Sequence, residues 1–493
     1  MRKLVIVGGG SSGWMAAAML SKTLGARVQI SLIESAAIGT VGVGEASIPP
    51  LTLFNQALGL DERAFMAATH ASIKLGIVFD GWGQRGEQYM HAFGELGRPL
   101  GLMGFQHVWL RQQEPCSRFW DFSVNALAAK NNRYGSQVPN QTSTNGLSHA
   151  YHFDANRYAK VLKQFSLRHG VNAISAMVTS WQLCPDSGDI VSLDLDNGDT
   201  VTADFFIDCS GFQSLLLGKA MGVDFIDWSE YLPCDSAWAV PCERGASIPP
   251  YTRSIAHEGG WQWQIPLQHR TGNGMVYSSR FWRDEQALQC LLAHLPGKPL
   301  AEPKLLKFTT GRRQEQWRGN CLALGLASGF LEPLESTSIH LVQSGILRFI
   351  KLFPQGRAPE LRAEYNRQSA LEFAQIRDFL ILHYHLNRRD EPLWRYCQTM
   401  AIPTELQRRI ALFGAQGYVG RQQDELFAEP AWLQVMLGQG LRPQHWHPMA
   451  DEIDATDLKQ YLQDLRSITA SSVSGLATHD QFLQDYCPSQ GLS

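Results

Sequence analysis

Four consecutive apolar residues, Leu4–Val7, run straight into Gly8-Gly9-Gly10-Ser11-Ser12-Gly13. An unbroken apolar run of this kind predicts a strand buried on both faces. Trp14–Leu24 follows with helix-forming composition, and a second apolar run, Val28–Ile33, ends on Glu34. Residues 171–210 read as strands and turns, with Asp196-Asn197-Gly198-Asp199 as a turn between two strand-like stretches. Phe205–Asp208 predicts another apolar strand, closing on Cys209-Ser210-Gly211-Phe212, and Leu322–Leu324 a short one ending at Gly325. A mixed sheet is expected across residues 250–320. From Pro354 onward helical patterns dominate, as in Leu361–His385. Residues 130–149, rich in Asn, Ser, Thr and Gly, predict a long exposed loop. No internal repeat is visible. The pattern gives an α/β chain with two regions, 1–353 and a mainly helical 354–493.

Composition narrows the partners. With 493 residues, 44% hydrophobic and 18% charged, the chain is globular and long enough for two or three packed units. A formal net charge of -3 provides no basic field for nucleic acid or an anionic membrane. No apolar run approaches the ~18 residues of a membrane span. The first strand begins almost at the amino terminus, which leaves no room for a signal peptide. Nine cysteines without a CxxC pair are expected to be reduced thiols of a cytoplasmic protein. The sequon Asn140-Gln141-Thr142 is then a chance match.

The glycines carry chemistry. Gly8, Gly10 and Gly13 fit G-x-G-x-x-G in its proper context of strand, turn and helix. Gly8 permits the tight turn, Gly10 lets the backbone approach a pyrophosphate, and Gly13 lets the helix pack on the strand. The helix start, with Ser11 and Ser12, offers N–H groups and partial positive charge to phosphates. Glu34 stands where a ribose-binding carboxylate belongs. Gly81-Trp82-Gly83-Gln84-Arg85-Gly86 fits the same expression, but no apolar helix follows it, and it reads as a glycine-rich loop. The chain shows one dinucleotide site and no clear second one for a nicotinamide cofactor, so if it is a flavoenzyme its flavin is reduced elsewhere. His383/His385 and His445/His447 are rejected as metal pairs, because no cysteine or acid cluster completes a ligand spacing. No metal is expected.

Gly260-Trp261-Gln262-Trp263-Gln264-Ile265-Pro266, together with Val43–Pro49, Lys74 and Phe330–Ser338, resembles flavin-dependent halogenases of the tryptophan-halogenase family, a similarity that spans nearly the whole chain. The first of these fits the family's G-W-x-W-x-I-P signature at every fixed position. Val43-Gly44-Glu45-Ala46-Ser47-Ile48-Pro49 resembles its flavin strap, and Lys74 falls at its active-site lysine. Glu335-Ser336-Thr337 resembles its glutamate, serine and halide-site threonine. The F-x-x-P-x-x-S-x-G pattern is met by Phe330, Pro333 and Ser336, but Ser338 replaces its last glycine. That change matters only if the position needs a positive φ, since a halide would rest on the backbone N–H groups of Thr337 and Ser338. Gly325-Leu326 stands where many related flavoproteins carry Gly-Asp.

The resemblance implies a two-dinucleotide-binding-type FAD fold like that of aromatic hydroxylases, with a mixed sheet on the substrate side. It implies FAD, used as FADH2, a halide ion, and a separate NAD(P)H-dependent flavin reductase as partner. Gly44, Glu45, Ala46 and Gly325 would join the cofactor site. Reduced flavin, dioxygen and halide yield hypohalous acid, which Lys74 would hydrogen-bond or carry as a chloramine. Glu335, with Ser336 beside it, would polarise the electrophile and accept the ring proton. His91 and Phe93 would sandwich an indole, and Trp261 and Trp263 would wall the flavin off from the substrate. The residues taken alone leave other readings open. A lysine in an apolar run usually snorkels to the surface, Glu335 could simply start a helix, and the tryptophans and the His91/Phe93 pair could be ordinary core. Gln444–Pro448 does not resemble a grip for an amino acid's charged ends, which favours indole or another substituted aromatic over free tryptophan. A flavin-dependent aromatic monooxygenase and a non-catalytic flavin-binding protein are the rival functions, and a homodimer is an alternative to a monomer.

Overall fold

The computed structural model describes residues 1–35, 44–112, 115–138, 147–422 and 424–488. It divides into two compact units, each assembled from three stretches. One comprises Met1–Thr69, Phe153–Ser229 and Phe308–Ala374; the other His70–His152, Glu230–Lys307 and Gln375–Ser493. Their limits therefore do not coincide with a cut at 353/354, and the chain passes from one to the other within the helix Pro359–His385.

The first unit is built on a six-stranded sheet in the order Trp317–Arg318, Cys321–Ala323, Phe205–Asp208, Lys3–Val7, Gln29–Glu34, Asn172–Ser175. All neighbours are parallel except the edge pair Trp317–Arg318/Cys321–Ala323. Lys3–Val7 lies in the middle, which explains its unbroken apolar run. The helix Ser11–Leu24 is buried from Gly13 through Ser21 and carries three alanines in a row, so it packs close. A meander, Val178–Leu183, Ile190–Leu195 and Thr200–Thr202, sets Ile190, Leu193 and Leu195 into one core with Val5, Val7 and Phe206. Its expected turn is present: Gly198 has φ 87° and the Asn197 side chain accepts the Asp199 N–H at 3.1 Å.

The second unit holds a seven-stranded mixed sheet, ordered Lys304–Lys307, Ser236–Cys242, Thr271–Tyr277, Gly260–Pro266, Thr252–His257, Gly76–Asp80, Gln88–Ala92. Only Gly76–Asp80 and Thr252–His257 pair in parallel. The expected mixed sheet thus exists but takes its last two strands from far upstream, while Gly311–Arg313 and Cys321–Ala323 belong to sheets of the first unit. The edge strand Gln88–Ala92 is closed by a side chain: Gln434, on the helix Glu429–Gly438, accepts the Ala92 N–H at 3.0 Å and donates to the Ala92 carbonyl at 3.1 Å. After residue 385 the unit is helical, apart from the short strand Ala477–Thr478, paired with Arg133–Tyr134 inside the expected loop 130–149. Among the described residues no helix is long and apolar enough to cross a membrane.

Candidate active site

In the first unit the chain leaves Lys3–Val7 through four glycines, Gly8, Gly9, Gly10 and Gly13, three of which leave no room for a side chain. Gly8 has φ 120°, and a Cβ there would lie 2.1 Å from the Cys209 carbonyl oxygen. A Cβ on Gly13 would lie 1.9 Å from the Gly8 carbonyl oxygen. Gly9, to which the glycine pattern assigned no role, is equally constrained, because its Cβ would meet Glu34 Oε2 at 2.2 Å. Gly10 is the exception, with nothing within 4 Å of where its Cβ would stand. The open space lies at the start of the helix Ser11–Leu24, whose first ladder bond runs from Trp14 N–H to the Gly10 carbonyl at 3.1 Å. The N–H groups of Ser11, Ser12 and Gly13 have no acceptor inside the helix. A tight turn, an open approach and unsatisfied donors fit the pyrophosphate of a dinucleotide.

Glu34 ends its strand, as expected, but is already engaged. Trp14 Nε1–H donates to its Oε2 at 3.2 Å, and the Lys163 ammonium pairs with Oε1. Lys163 Nζ also stands 5.6 Å from the Trp14 ring centroid. The carboxylate is thereby oriented, and Lys163 was not foreseen because it lies on a helix 129 residues downstream. Gly325 adopts φ 62° and its Cβ would lie 2.3 Å from Ser12 Oγ, so these two expected cofactor residues meet. Gly44, Glu45 and Ala46 form a short strand, and burial pushes the Glu45 carboxyl up to about 7. Val43, like the sequon residues Asn140–Thr142, lies outside the described residues.

The segment from Phe330 to Ser338 resolves the question raised by its missing glycine. Pro333–Glu335 forms one 3-10 turn, Ser336 takes the left-handed conformation at φ 58°, Thr337 caps, and the helix Ser338–Lys351 begins. The left-handed position is therefore Ser336, and Ser338 is simply the first helical residue. Glu335 and Thr337 are both wholly buried, and Thr337 Oγ1 has no hydrogen-bond partner among the described residues. The helix start directs its free N–H groups beyond its own first turn.

Lys74, Phe93, His91, Trp261 and Trp263 all belong to the second unit. Lys74 does not snorkel; it is 0% exposed. It lies on the strand Ser72–Lys74, paired antiparallel with Ala150–His152, and its Nζ stands 5.4 Å from the Phe93 ring centroid. Neighbouring groups are pinned by hydrogen bonds. The Ser72 hydroxyl donates to the Pro266 carbonyl and lies 3.1 Å from His152 Nδ1, and His152 Nε2 is 2.9 Å from Thr252 Oγ1. Burial, then the Lys74 charge, hold His152 well below the ordinary histidine value, so it stays neutral. The Ile73 N–H is held by His479 Nε2 at 3.1 Å, a residue without any local sequence signal.

His91 and Phe93 stand edge to face, 6.4 Å apart at 79°, rather than as parallel plates. His91 also packs on Phe379 at 5.6 Å and Phe427 at 6.1 Å. Trp261 and Trp263 share one face of the strand Gly260–Pro266, with centroids 6.2 Å apart. Trp263 lies over Gly274 of the next strand, where a Cβ would come within 2.0 Å of the indole. Trp261 packs on Trp82 at 6.0 Å. Trp82 belongs to the second glycine motif, which is the hairpin loop between Gly76–Asp80 and Gln88–Ala92, closed by Gly81 N–H to the Glu87 carbonyl at 2.8 Å. Of the four histidines considered as metal pairs, His383 Nδ1 is 2.8 Å from the Tyr89 hydroxyl, His385 Nδ1 is 3.1 Å from the Cys397 carbonyl, and His447 Nδ1 accepts the Met449 N–H at 3.2 Å.

Comparison with known proteins bears on both units. The tryptophan halogenase family model matches residues 3–455. The tryptophan 6-halogenase SttH of Streptomyces toxytricini is 37% identical over 443 residues, 84% of each chain. The tryptophan 7-halogenase RebH of Lentzea aerocolonigenes is 35% identical over 444 residues, 84% of this chain and 82% of its own. Among solved structures, Xcc4156, a flavin-dependent halogenase from Xanthomonas campestris, superposes with a TM-score of 0.96 at 47% identity, covering 100% of this chain and 99% of that one. BrvH, a flavin-dependent halogenase from Brevundimonas sp. BAL3, gives 0.94 at 42% identity, covering 98% and 99%. With a whole-chain match, a fitting dinucleotide cradle and the G-W-x-W-x-I-P strand in place, the chain belongs to the tryptophan halogenase family and is a flavin-dependent halogenase, working with reduced FAD and halide.

Proposed function

We propose that the enzyme halogenates a small, electron-rich aromatic ring of the indole class by electrophilic substitution, with Lys74 as the residue that holds the electrophile. The observation that carries this reading is the complete burial of Lys74, with its amine beside the Phe93 ring. An ammonium removed from water is costly, and a structural role would be filled better by an apolar side chain. When bound, FADH2 would supply two electrons to dioxygen and halide the other two, so that one oxygen ends in hypohalous acid and the other in water.

The chain's own residues then divide the work. Gly8, Gly10, Gly13 and the N–H groups of Ser11 and Ser12 hold the pyrophosphate, with Glu34 on the ribose and Gly44, Glu45, Ala46 and Gly325 completing the cofactor site. The N–H groups of Thr337 and Ser338 hold the halide, a reading supported by the buried helix start and the unpartnered Thr337 hydroxyl. Lys74 hydrogen-bonds the oxygen of hypohalous acid and gives it a proton as the ring attacks the halogen, so that the oxygen–halogen bond breaks and water leaves. Glu335, buried beside Ser336, accepts the ring proton. Phe93 and His91, backed by the apolar rings of Phe379 and Phe427, suit a flat neutral ring better than a zwitterion. Trp261 and Trp263 keep that ring from the flavin. A separate reductase supplies FADH2, in keeping with the second glycine motif being a hairpin loop.

The test is a panel of indoles, phenols and free tryptophan, each with FADH2 and chloride or bromide, read by mass spectrometry. Monohalogenated indoles are expected. Hydroxylated products lacking halogen, or turnover of tryptophan alone, would overturn the assignment.

A further inference from the structure

Apart from the chemistry above, the second unit brings together two imidazoles and a thiol. His257 ends the strand Thr252–His257, Cys290 sits on the helix Asp284–Ala293, and His294 caps that helix. One ligand-capable atom from each residue lies within 4.8 Å of the others. Cys290 Sγ is 3.4 Å from His257 Nδ1 and 3.8 Å from His294 Nδ1. A tetrahedral zinc ion with ordinary Zn–S and Zn–N bonds sets its sulfur and nitrogen ligands about 3.6 Å apart, and the two measured edges straddle that value. Cys290 and His294 are four residues apart on one helix, hence on one face.

A second layer orients the ligands. His257 Nε2 lies 3.3 Å from Gln262 Oε1, so Nε2–H donates there and the Nδ1 lone pair faces the thiol. The same Gln262 amide donates to the His294 carbonyl at 3.3 Å, so one buried side chain ties both histidine residues. Metal-binding histidines characteristically have their second nitrogen fixed in this way. His294 Nδ1 is also 2.8 Å from the Cys290 carbonyl, so metal binding exchanges that bond for a turn of the exposed ring that brings a deprotonated Nδ1 towards the thiol, with Nε2–H facing solvent. His257 and Cys290 are half-buried and His294 is exposed, which leaves an entry path and a fourth position open to water. Nearby charges are the carboxylates of Glu258 and Asp80 and the Arg389 guanidinium, the last engaged by Glu391.

We propose that His257, Cys290 and His294 form a zinc(II) site that clamps the helix Asp284–Ala293 to the strand Thr252–His257. Thiolate and imidazole are the donor set for zinc rather than for magnesium or calcium. Binding replaces the thiol S–H by an S–Zn bond and releases one proton to solvent; no electron moves.

Cobalt(II) is the probe, because it takes zinc's place and reports thiolate ligation by a charge-transfer band. The full-length protein, stripped with chelator and titrated with Co2+, should show that band at one equivalent, and Zn2+ should erase it. Cys290→Ser should abolish the band. His294→Ala should weaken Zn2+ binding at least ~10-fold, and Gln262→Leu by about 10- to 100-fold. Cys184→Ser, at a cysteine of the other unit, should change nothing. Zn2+ should also raise the melting temperature of the wild-type chain and not that of Cys290→Ser. Circular dichroism of each variant separates lost binding from lost folding. A titration without the charge-transfer band, or one that survives in folded Cys290→Ser, overturns the site. Halogenation of the indole panel is a separate readout and can succeed or fail independently.

Discussion

Acid should loosen the strand that carries Lys74, and His479 gives the effect a size. This imidazole is wholly buried, its Nδ1–H donates to the Ile248 carbonyl at 2.7 Å, and its Nε2 accepts the Ile73 N–H at 3.1 Å. A proton on Nε2 would replace that acceptor by a donor facing a donor. Burial, opposed by the Ile248 bond and the Asp480 charge, brings the group from 6.5 down to about 4. Between these values the unfolded chain binds a proton that the folded chain refuses, so stability rises with pH. The contribution is complete above about pH 6.5 and is lost as pH falls towards 4, a total of about 3 kcal/mol from the shift. His479→Gln keeps one donor and one acceptor but cannot titrate. Urea midpoints of the two proteins, paired at each pH from 4 to 8, isolate the term, since other depressed histidines such as His107 and His152 titrate in both. The wild-type curve should fall more steeply below pH 6.5, by up to one proton's worth of slope. Parallel curves would refute the assignment of a neutral, bridging His479.

Three further outcomes follow from the same geometry. Gly10→Ala should fold normally, because its Cβ meets nothing, yet bind FAD at least ~10-fold more weakly; Gly13→Ala should fail to accumulate as folded protein, because its Cβ strikes the Gly8 carbonyl. Equilibrium FAD titration and circular dichroism separate the two. Glu335→Gln should slow halogenation by about 10²-fold if Glu335 is the proton acceptor, measured as turnover under saturating FADH2; an unchanged rate removes that role. Ser338→Gly should leave halide use unaltered and cost at most about 1 kcal/mol, because the position is helical; a gain or loss of chloride use, seen by competition with bromide, would show that the side chain matters.

What the sequence revealed followed from local rules. The apolar run Leu4–Val7 became the strand Lys3–Val7, and Val28–Ile33 became Gln29–Glu34, because a strand buried on both faces leaves an unbroken hydrophobic signature. The first helix was expected from Trp14 but begins at Ser11, since a serine pair and a glycine read locally as loop. Long-range pairings were not legible. Nothing near Gly76–Asp80 announces that it pairs in parallel with Thr252–His257. The burial of Lys74 was equally hidden, because it is produced by partners such as Phe93, just past the strand Gln88–Ala92, and Ala150, on a strand that returns later in the chain. The His257, Cys290 and His294 group escaped notice because its strand histidine lies 33 residues before the cysteine. The spacing of Cys290 and His294 was the one local clue.

The claim on which the rest depends is that the Lys74 amine carries the electrophile to the ring. Lys74→Met keeps the buried stem and removes the nitrogen. In a single turnover with FADH2, oxygen, bromide and indole, the count to make is bromoindole formed per FADH2 oxidised. FADH2 oxidation at the wild-type rate with bromoindole reduced at least ~100-fold is the predicted result. Bromoindole at the wild-type ratio would contradict it.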